Sequence, residues 1–277
     1  MLRTFDRLAL AGLLFTLASG ASAAERYNTV KQKLEAGDKV VGGSVYTSDP
    51  NIYCAMANAG FDFLWIEMQH SPLTYSEVAR MIWACKDAPA IPFIRVPAAT
   101  PGDIQKATDI GALGVILPMV DDVQQARDAV VYAKYPPEGK RSRGGGQYGF
   151  WSDDYRATAN DNMMVVVMIE SPAGVDIIDE VAAVEGVDVV FAASGDLGSF
   201  TGWSRDDPRY LKLIDRIREG TLKAGKWLAG PLAWKDREGF TFFQGPSEGS
   251  LIRSGAQTAL TGAAEGGKDV ATGDEAH

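Results

Sequence analysis

Two carboxylates stand directly after apolar runs in this chain. Glu170 follows Val165-Val166-Val167-Met168-Ile169, and Asp196 comes shortly after Val189-Val190-Phe191-Ala192. A carboxylate at the end of a buried run is costly unless a cation or donor receives it. Two such groups, with the other coordination positions left to water and substrate oxygens, suit a divalent metal ion with an octahedral oxygen shell: Mg²⁺, Mn²⁺ or Co²⁺. The alternative is that each makes a structural ion pair, with Arg95 or Lys134. Arg95 lies in the apolar segment Pro92-Phe93-Ile94-Arg95-Val96 and needs a carboxylate partner, either Glu67 or a substrate group. His70 is the one histidine in the interior of the sequence. It precedes Ser71-Pro72 in a loop, where it could act as a general base or make a structural cap.

These residues need a frame that brings strand ends together. Short apolar runs alternate with helix-period segments from residue 40 onward. The strands are predicted at Val40–Tyr46, Phe61–Ile66, Ile91–Val96, Gly114–Pro118, Met164–Ile169, Val187–Ala192, Lys226–Pro231 and Phe240–Gln244. Helices are predicted at Asp49–Ala59, Thr74–Cys85, Pro101–Ile110, Val123–Ala133, Ala173–Val184, Pro208–Ala224, within Trp234–Glu238 and near Ser247–Leu260. Asp49-Pro50 and Ser171-Pro172 read as helix starts, and Thr74-x-x-Glu77 as a capping box. Eight strand–helix units predict an α/β fold, a (β/α)8 TIM-type barrel. An open doubly wound sheet is the alternative, but no G-x-G-x-x-G follows the first strand and no P-loop occurs. A barrel gathers Tyr46, Glu67, Gln69, His70, Arg95, Glu170 and Asp196 at the carboxyl mouth of its strands. The segment Tyr135–Asn162, Gly-rich and carrying Arg141, Arg143, Phe150 and Trp151, stands outside the alternation. Tyr46, Trp65, Met168, Phe150 and Trp151 are expected near the mouth, where they would suit an apolar or aromatic ligand.

Composition narrows the function. The 277 residues are 46% hydrophobic and 23% charged, an ordinary globular balance. A formal charge of −9 disfavours nucleic acid and anionic membranes as partners. Two cysteines and two histidines exclude a disulfide scaffold, a Cys-based zinc site and a multi-histidine centre. Residues 1–24 carry Arg3 and Arg7, an apolar run from Leu8 to Leu17 and then Ala21-Ser22-Ala23. This order predicts a secretory signal peptide, hence a periplasmic or secreted protein. No later stretch reads as a membrane span. Residues 25–261 form the barrel domain, and 262–277 read as a disordered tail. Cys54 falls early in one predicted helix and Cys85 near the end of the next. If those helices run parallel, the sulfurs are offset by roughly 10 Å at 1.5 Å per residue, too far for a disulfide. Two buried thiols are therefore expected.

Several stretches resemble, in order, the HpcH/HpaI aldolase and citrate lyase family of metal-dependent class II pyruvate aldolases: GFDFLWIEMQHSPL, PFIRVP, DIGALGVILPMV, KYPPEGKRSRG and VVVMIESPAGVDIIDEVAAVEGVDVVFAASGDLGSFTG. The resemblance runs from about Gly42 to Gly202 and, more weakly, to Leu260. It implies a modified (β/α)8 barrel and a homo-oligomer, trimeric or hexameric. Its implied site has Glu170 and Asp196 as ligands of a divalent metal, His70 as general base and Arg95 as donor to a keto oxygen. It places the backbone around Ser194-Gly195 at the carboxylate of an oxo-acid substrate and Tyr46 in the pocket lining. Met168 stands where the family usually has Gln, and Ile66-Glu67-Met68-Gln69-His70 replaces I-D-x-E-H. The implied activity is carbon–carbon lyase, retro-aldol cleavage of a 4-hydroxy-2-oxo acid or related β-hydroxy carbonyl compound through an enolate. A carboxylate-binding protein on the same barrel, and a different lyase or decarboxylase sharing the enolate, are the alternatives.

Overall fold

The computed structural model describes residues 25–265. Eight parallel strands close a barrel in sequence order, each pairing with the next and β8 with β1. The elements are α1 (Thr29–Glu35), β1 (Val40–Val45), α2 (Pro50–Ala57), β2 (Phe63–Glu67), α3 (Tyr75–Ala84), β3 (Ile91–Arg95), α4 (Pro101–Asp109), β4 (Gly114–Leu117) and α5 (Val123–Ala133). Then come α6 (Tyr155–Asn162), β5 (Met164–Ile169), α7 (Pro172–Asp176), α8 (Ile178–Ala182), β6 (Val189–Ala192), α9 (Ser194–Thr201), α10 (Pro208–Lys223), β7 (Trp227–Pro231), β8 (Phe240–Ser247) and α11 (Glu248–Glu265).

The strands are buried on both faces, which is why they read as continuous apolar runs. One parity fills the barrel interior: Phe63, Trp65, Phe93, Met164, Val166, Met168, Phe191 and Phe242. The other packs beneath the helices: Leu64, Ile66, Ile94, Val115, Val165 and Val167. Phe63 sits 4.4 Å from Phe242 and 4.9 Å from Phe93, centroid to centroid. These rings fit because their neighbours lack a Cβ. One added at Gly42 would lie 2.1 Å from the Phe63 ring, and one at Gly114 would lie 2.1 Å from the Phe93 ring. Large and small residues thus interlock across the interior.

The predicted caps form. Asp49 accepts from the Asn51 amide, Ser171 from the Gly174 amide, and Thr74 and Glu77 complete a capping box. Other expectations change. Ala173–Val184 is two short helices, α7 and α8, and Trp234–Glu238 holds no α-helix, only a 3-10 turn at Leu232–Trp234. α11 continues through Glu265, so the first residues of the expected tail are helical; the rest of it lies outside the described residues.

The insertion between α5 and β5 sits at the opposite end of the barrel from the expected mouth position. It joins the end of a helix to the start of a strand, and that junction lies at the amino ends of the strands. Trp151 Nε1 donates to the Gly111 carbonyl at 2.9 Å and Gln147 Nε2 to the Ile110 carbonyl at 3.1 Å, both just ahead of β4. Arg141 pins the segment, its guanidinium 4.6 Å from the Tyr135 ring centre and hydrogen-bonded to Tyr155 and Asp109. Phe150 and Trp151 therefore cannot line the mouth.

The two cysteines pair, against expectation: Cys54 and Cys85 form a disulfide with Cα atoms 5.5 Å apart. The 10 Å offset assumed that the helices begin level. α3 follows a seven-residue connection and α2 a four-residue one, and Cys85 has already left α3 as its C-cap, with φ −130°. Levels counted from helix starts are thus not comparable in a barrel whose neighbouring units are staggered.

Candidate active site

Period-two alternation carries the chemistry inward. Trp65, Phe93 and Met168 face the barrel interior, so Glu67, Arg95 and Glu170, two residues further on, face it too. Each is the polar group capping a hydrophobic interior column at the carboxyl mouth. Glu67 and Glu170 are fully buried and Arg95 nearly so.

Arg95 bridges the two carboxylates. Nη1 donates to Glu67 Oε2 at 3.3 Å and Nη2 to Glu170 Oε1 at 3.0 Å. Its Nε is buried without a partner among the described residues. Of the two partners considered, Arg95 pairs with Glu170, and Lys134 pairs instead with Glu138 at 3.0 Å. Glu67 also accepts from Trp65 Nε1 at 3.2 Å, and its Oε1 accepts the amides of Gln69 at 2.9 Å and His70 at 3.1 Å. One buried carboxylate thus fixes both the arginine and the backbone of the loop that presents His70. The His70 side chain itself is exposed.

Glu170 Oε2 accepts the Met119 amide. Met119 has φ +54°, a left-handed conformation unusual for a residue that is not glycine. This turn after β4 aims the amide at the carboxylate, and no residue type in the sequence signals it. Burial pushes the Glu170 carboxyl up to about 7, against the lowering effect of Arg95 and the Met119 amide; the adjoining Asp196 carboxylate raises it further.

Asp196 lies in the first turn of α9, a helix that the strand–helix pattern did not reveal. Ala193 is its N-cap, with no side-chain cap. The opening amides at Ser194, Gly195 and Asp196 are therefore free to meet an anion. Met168 is 3% exposed and lies inside the barrel one layer below Glu170. Tyr46 stands at the rim, 38% exposed. Burial raises its phenol pKa, with the charges of Glu67 and Glu248 adding and Arg95 opposing. Glu248 was not anticipated, because β8 was predicted to end at Gln244 and runs to Ser247.

The donor set fits a hard divalent cation. Two carboxylates in contact, one fully buried and held back from ionising, are relieved by a cation between them. Among the described residues no group of three or more His, Cys, Asp or Glu is placed to hold a metal ion, so water and substrate would complete the coordination around the two carboxylates. Among them, too, no helix is long and apolar enough to cross a membrane.

Comparison with known proteins bears on this site. Residues 45–227 match the family model for HpcH/HpaI aldolase/citrate lyase. A hydroxypyruvate/pyruvate aldolase of Roseovarius nubinhibens is 36% identical over 183 residues, 65% of this chain and 71% of that protein. The citrate synthase SbnG superposes with a TM-score of 0.74 at 30% identity, over 86% of this chain and 99% of that one. An HpcH/HpaI aldolase/citrate lyase family protein from Burkholderia cenocepacia J2315 gives 0.78 at 27% identity, over 85% and 99%. The expected periplasmic or secreted location is corrected by these comparisons: the relatives are named as aldolases of small oxo acids, and none of those names points to export. The signal-peptide reading of residues 1–24 lies outside the described residues.

Proposed function

The chain belongs to the HpcH/HpaI aldolase/citrate lyase family and is an aldolase-type carbon–carbon lyase; we propose that it cleaves a 4-hydroxy-2-oxo acid, or a related β-hydroxy carbonyl compound, by a metal-dependent retro-aldol reaction. The observation that carries this reading is Arg95 held between Glu67 and Glu170, with Asp196 against Glu170 at the mouth. A relative named for hydroxypyruvate and pyruvate supports a small 2-oxo acid as the donor half.

Glu170 and Asp196 would hold the cation, Mg²⁺, Mn²⁺ or Co²⁺, which when bound supplies Lewis-acid stabilisation to the ketone and enolate oxygens. The free amides at Ser194 and Gly195 bind the oxo-acid carboxylate and so fix its direction. Arg95 presents a fixed positive charge to the keto oxygen, where negative charge grows as the enolate forms. Glu67 and Glu170 prevent the guanidinium from turning away, so no reorganisation is needed at the moment of reaction. His70 takes the proton from the hydroxyl whose carbon–carbon bond breaks. Met168 forms an apolar floor beneath the donor. A homo-oligomer fits the long α11, whose Leu251, Ile252 and Leu260 are exposed in the single chain; light scattering would give its size.

The test needs no knowledge of the aldehyde. Protein is incubated with pyruvate in D₂O with each cation, and the methyl signal is followed by NMR. Exchange is expected, lost to chelator and reduced at least about 100-fold in Arg95→Ala, the scale for removing a donor to a developing oxyanion. His70→Ala is expected to abolish cleavage of a 4-hydroxy-2-oxo acid. Absence of exchange with pyruvate and with every other small oxo acid would overturn the reading.

A further inference from the structure

Beside the acidic cluster a groove of about 480 Å³ opens between the β1–α2 connection and the loop that follows His70. Tyr46, Thr47, Ser48, Leu73, Glu77 and Glu248 line it. Glu248 begins α11, directly after β8, and is only 8% exposed. Its Oε1 accepts the amides of Tyr46 at 2.7 Å and Thr47 at 2.8 Å, clasping the first strand's exit to the last helix. Its Oε2 is buried and has no partner among the described residues. Buried carboxylate oxygens are normally satisfied, and one that is not, at the wall of a groove, points to a missing donor.

The chemistry of that donor is constrained. The residues named offer carboxylate and hydroxyl oxygens, and none carries a positive charge. Tyr46 joins the groove to the site already described, since its phenol feels the charges of Glu67 and Arg95 as well as that of Glu248. Resting on the lyase reading of the mouth, we propose that this groove is the subsite for the aldehyde half of the substrate, and that Glu248 Oε2 receives a hydroxyl of a short, neutral, hydroxylated aldehyde. Glu248 and Glu77 repel a phosphorylated or carboxylated aldehyde, so the groove selects against anionic partners as well as for a hydroxyl. An apolar or aromatic aldehyde would leave Oε2 unpaired.

Glu248→Gln is the informative change. The two backbone amides require an oxygen at the Oε1 position, so the new NH₂ must stand where Oε2 stood. An acceptor becomes a donor with no change of shape. The probes are glyceraldehyde, propanal and succinic semialdehyde, read by saturation-transfer NMR without turnover and by kcat/KM for condensation with pyruvate. The preference for glyceraldehyde over propanal is expected to fall about tenfold in Glu248→Gln, the lower end for a hydrogen bond to a charged group, because the hydroxyl can then only accept from a neutral amide. Its saturation-transfer signal should fall with it, and succinic semialdehyde should gain. A folded variant that keeps the wild-type preference and signal would overturn the inference. If Glu248→Gln does not fold, Ser48→Trp fills the groove from its exposed rim. It should remove the glyceraldehyde signal, and retention of that signal would equally overturn the proposal. The lyase reading fails separately, through absent solvent exchange with pyruvate and with every other small oxo acid in the wild-type protein. In that case a glyceraldehyde signal lost in Glu248→Gln still supports the subsite, and no wild-type signal refutes it.

Discussion

Glu67 and Arg95 are register partners on adjacent strands, and the guanidinium Nη1 donates to the carboxylate Oε2 at 3.3 Å across the barrel mouth. The same guanidinium reaches Glu170 on β5. One arginine therefore compensates two carboxylates that are almost wholly out of water.

Removal of this arginine should be severe. Arg95→Ala leaves both carboxylates buried and uncompensated, and breaking a buried pair costs about 3–5 kcal/mol. Glu67→Gln in the same chain should recover part of that loss, because it removes one stranded charge. Urea unfolding of the two single variants and the double variant measures the coupling, expected at about 0.5–3 kcal/mol. Strict additivity would mean that the contact does not act as a unit.

The proposed cation ligands can be tested without substrate. Removing a group in the outer shell of a metal site typically costs about 10–100-fold in affinity, so loss of a ligand should cost at least as much. Calorimetric titration with Mn²⁺ should show Glu170→Gln and Asp196→Asn weakened by about 100-fold or more. Full affinity in both variants would reject the assignment.

Glu170 also links stability to pH. Its folded pKa, about 7, lies above the ordinary value of 4.5. The folded state therefore holds the proton more tightly than the unfolded state. Its contribution to stability is fully present below about pH 4.5 and is lost as pH rises through about 7. In chelator, the melting temperature of the wild-type protein relative to Glu170→Gln should fall across that window. A saturating divalent cation should reverse the trend, since it favours the ionised carboxylate. A pH-independent difference would contradict the burial argument.

The disulfide should be felt in stability alone. Cys54 and Cys85 are 31 residues apart in sequence, and closing a loop of that size in the unfolded chain is worth roughly 3–4 kcal/mol. Cys54→Ser, or reduction, should lower the melting temperature by several degrees. Alkylation of the unreduced, denatured protein should label no thiol, and two labelled thiols would remove the basis of this expectation.

The sequence by itself determined the frame and most of the cluster. Strands buried on both faces must be continuous apolar runs, so Met164–Ile169 could be read to its exact ends and six others to within two residues, while β8 runs three residues past its predicted end. The two-residue side-chain period then carries Glu67, Arg95 and Glu170 to one mouth with no tertiary information. Local capping chemistry at Asp49, Thr74 and Ser171 was equally legible, because a cap and its amide partners lie within a few residues of each other. The location of the Phe150–Trp151 segment was implied by topology, since a helix-to-strand connection cannot reach the carboxyl mouth. The tertiary structure alone decided the partners that depend on stagger and on turns: the approach of Cys54 to Cys85, the left-handed Met119 whose amide meets Glu170, and Glu248 at the rim. Each of these contacts joins segments far apart in the chain. Their distances are set by barrel tilt, connection length and backbone conformation, none of which leaves a periodic or compositional mark on the residues involved.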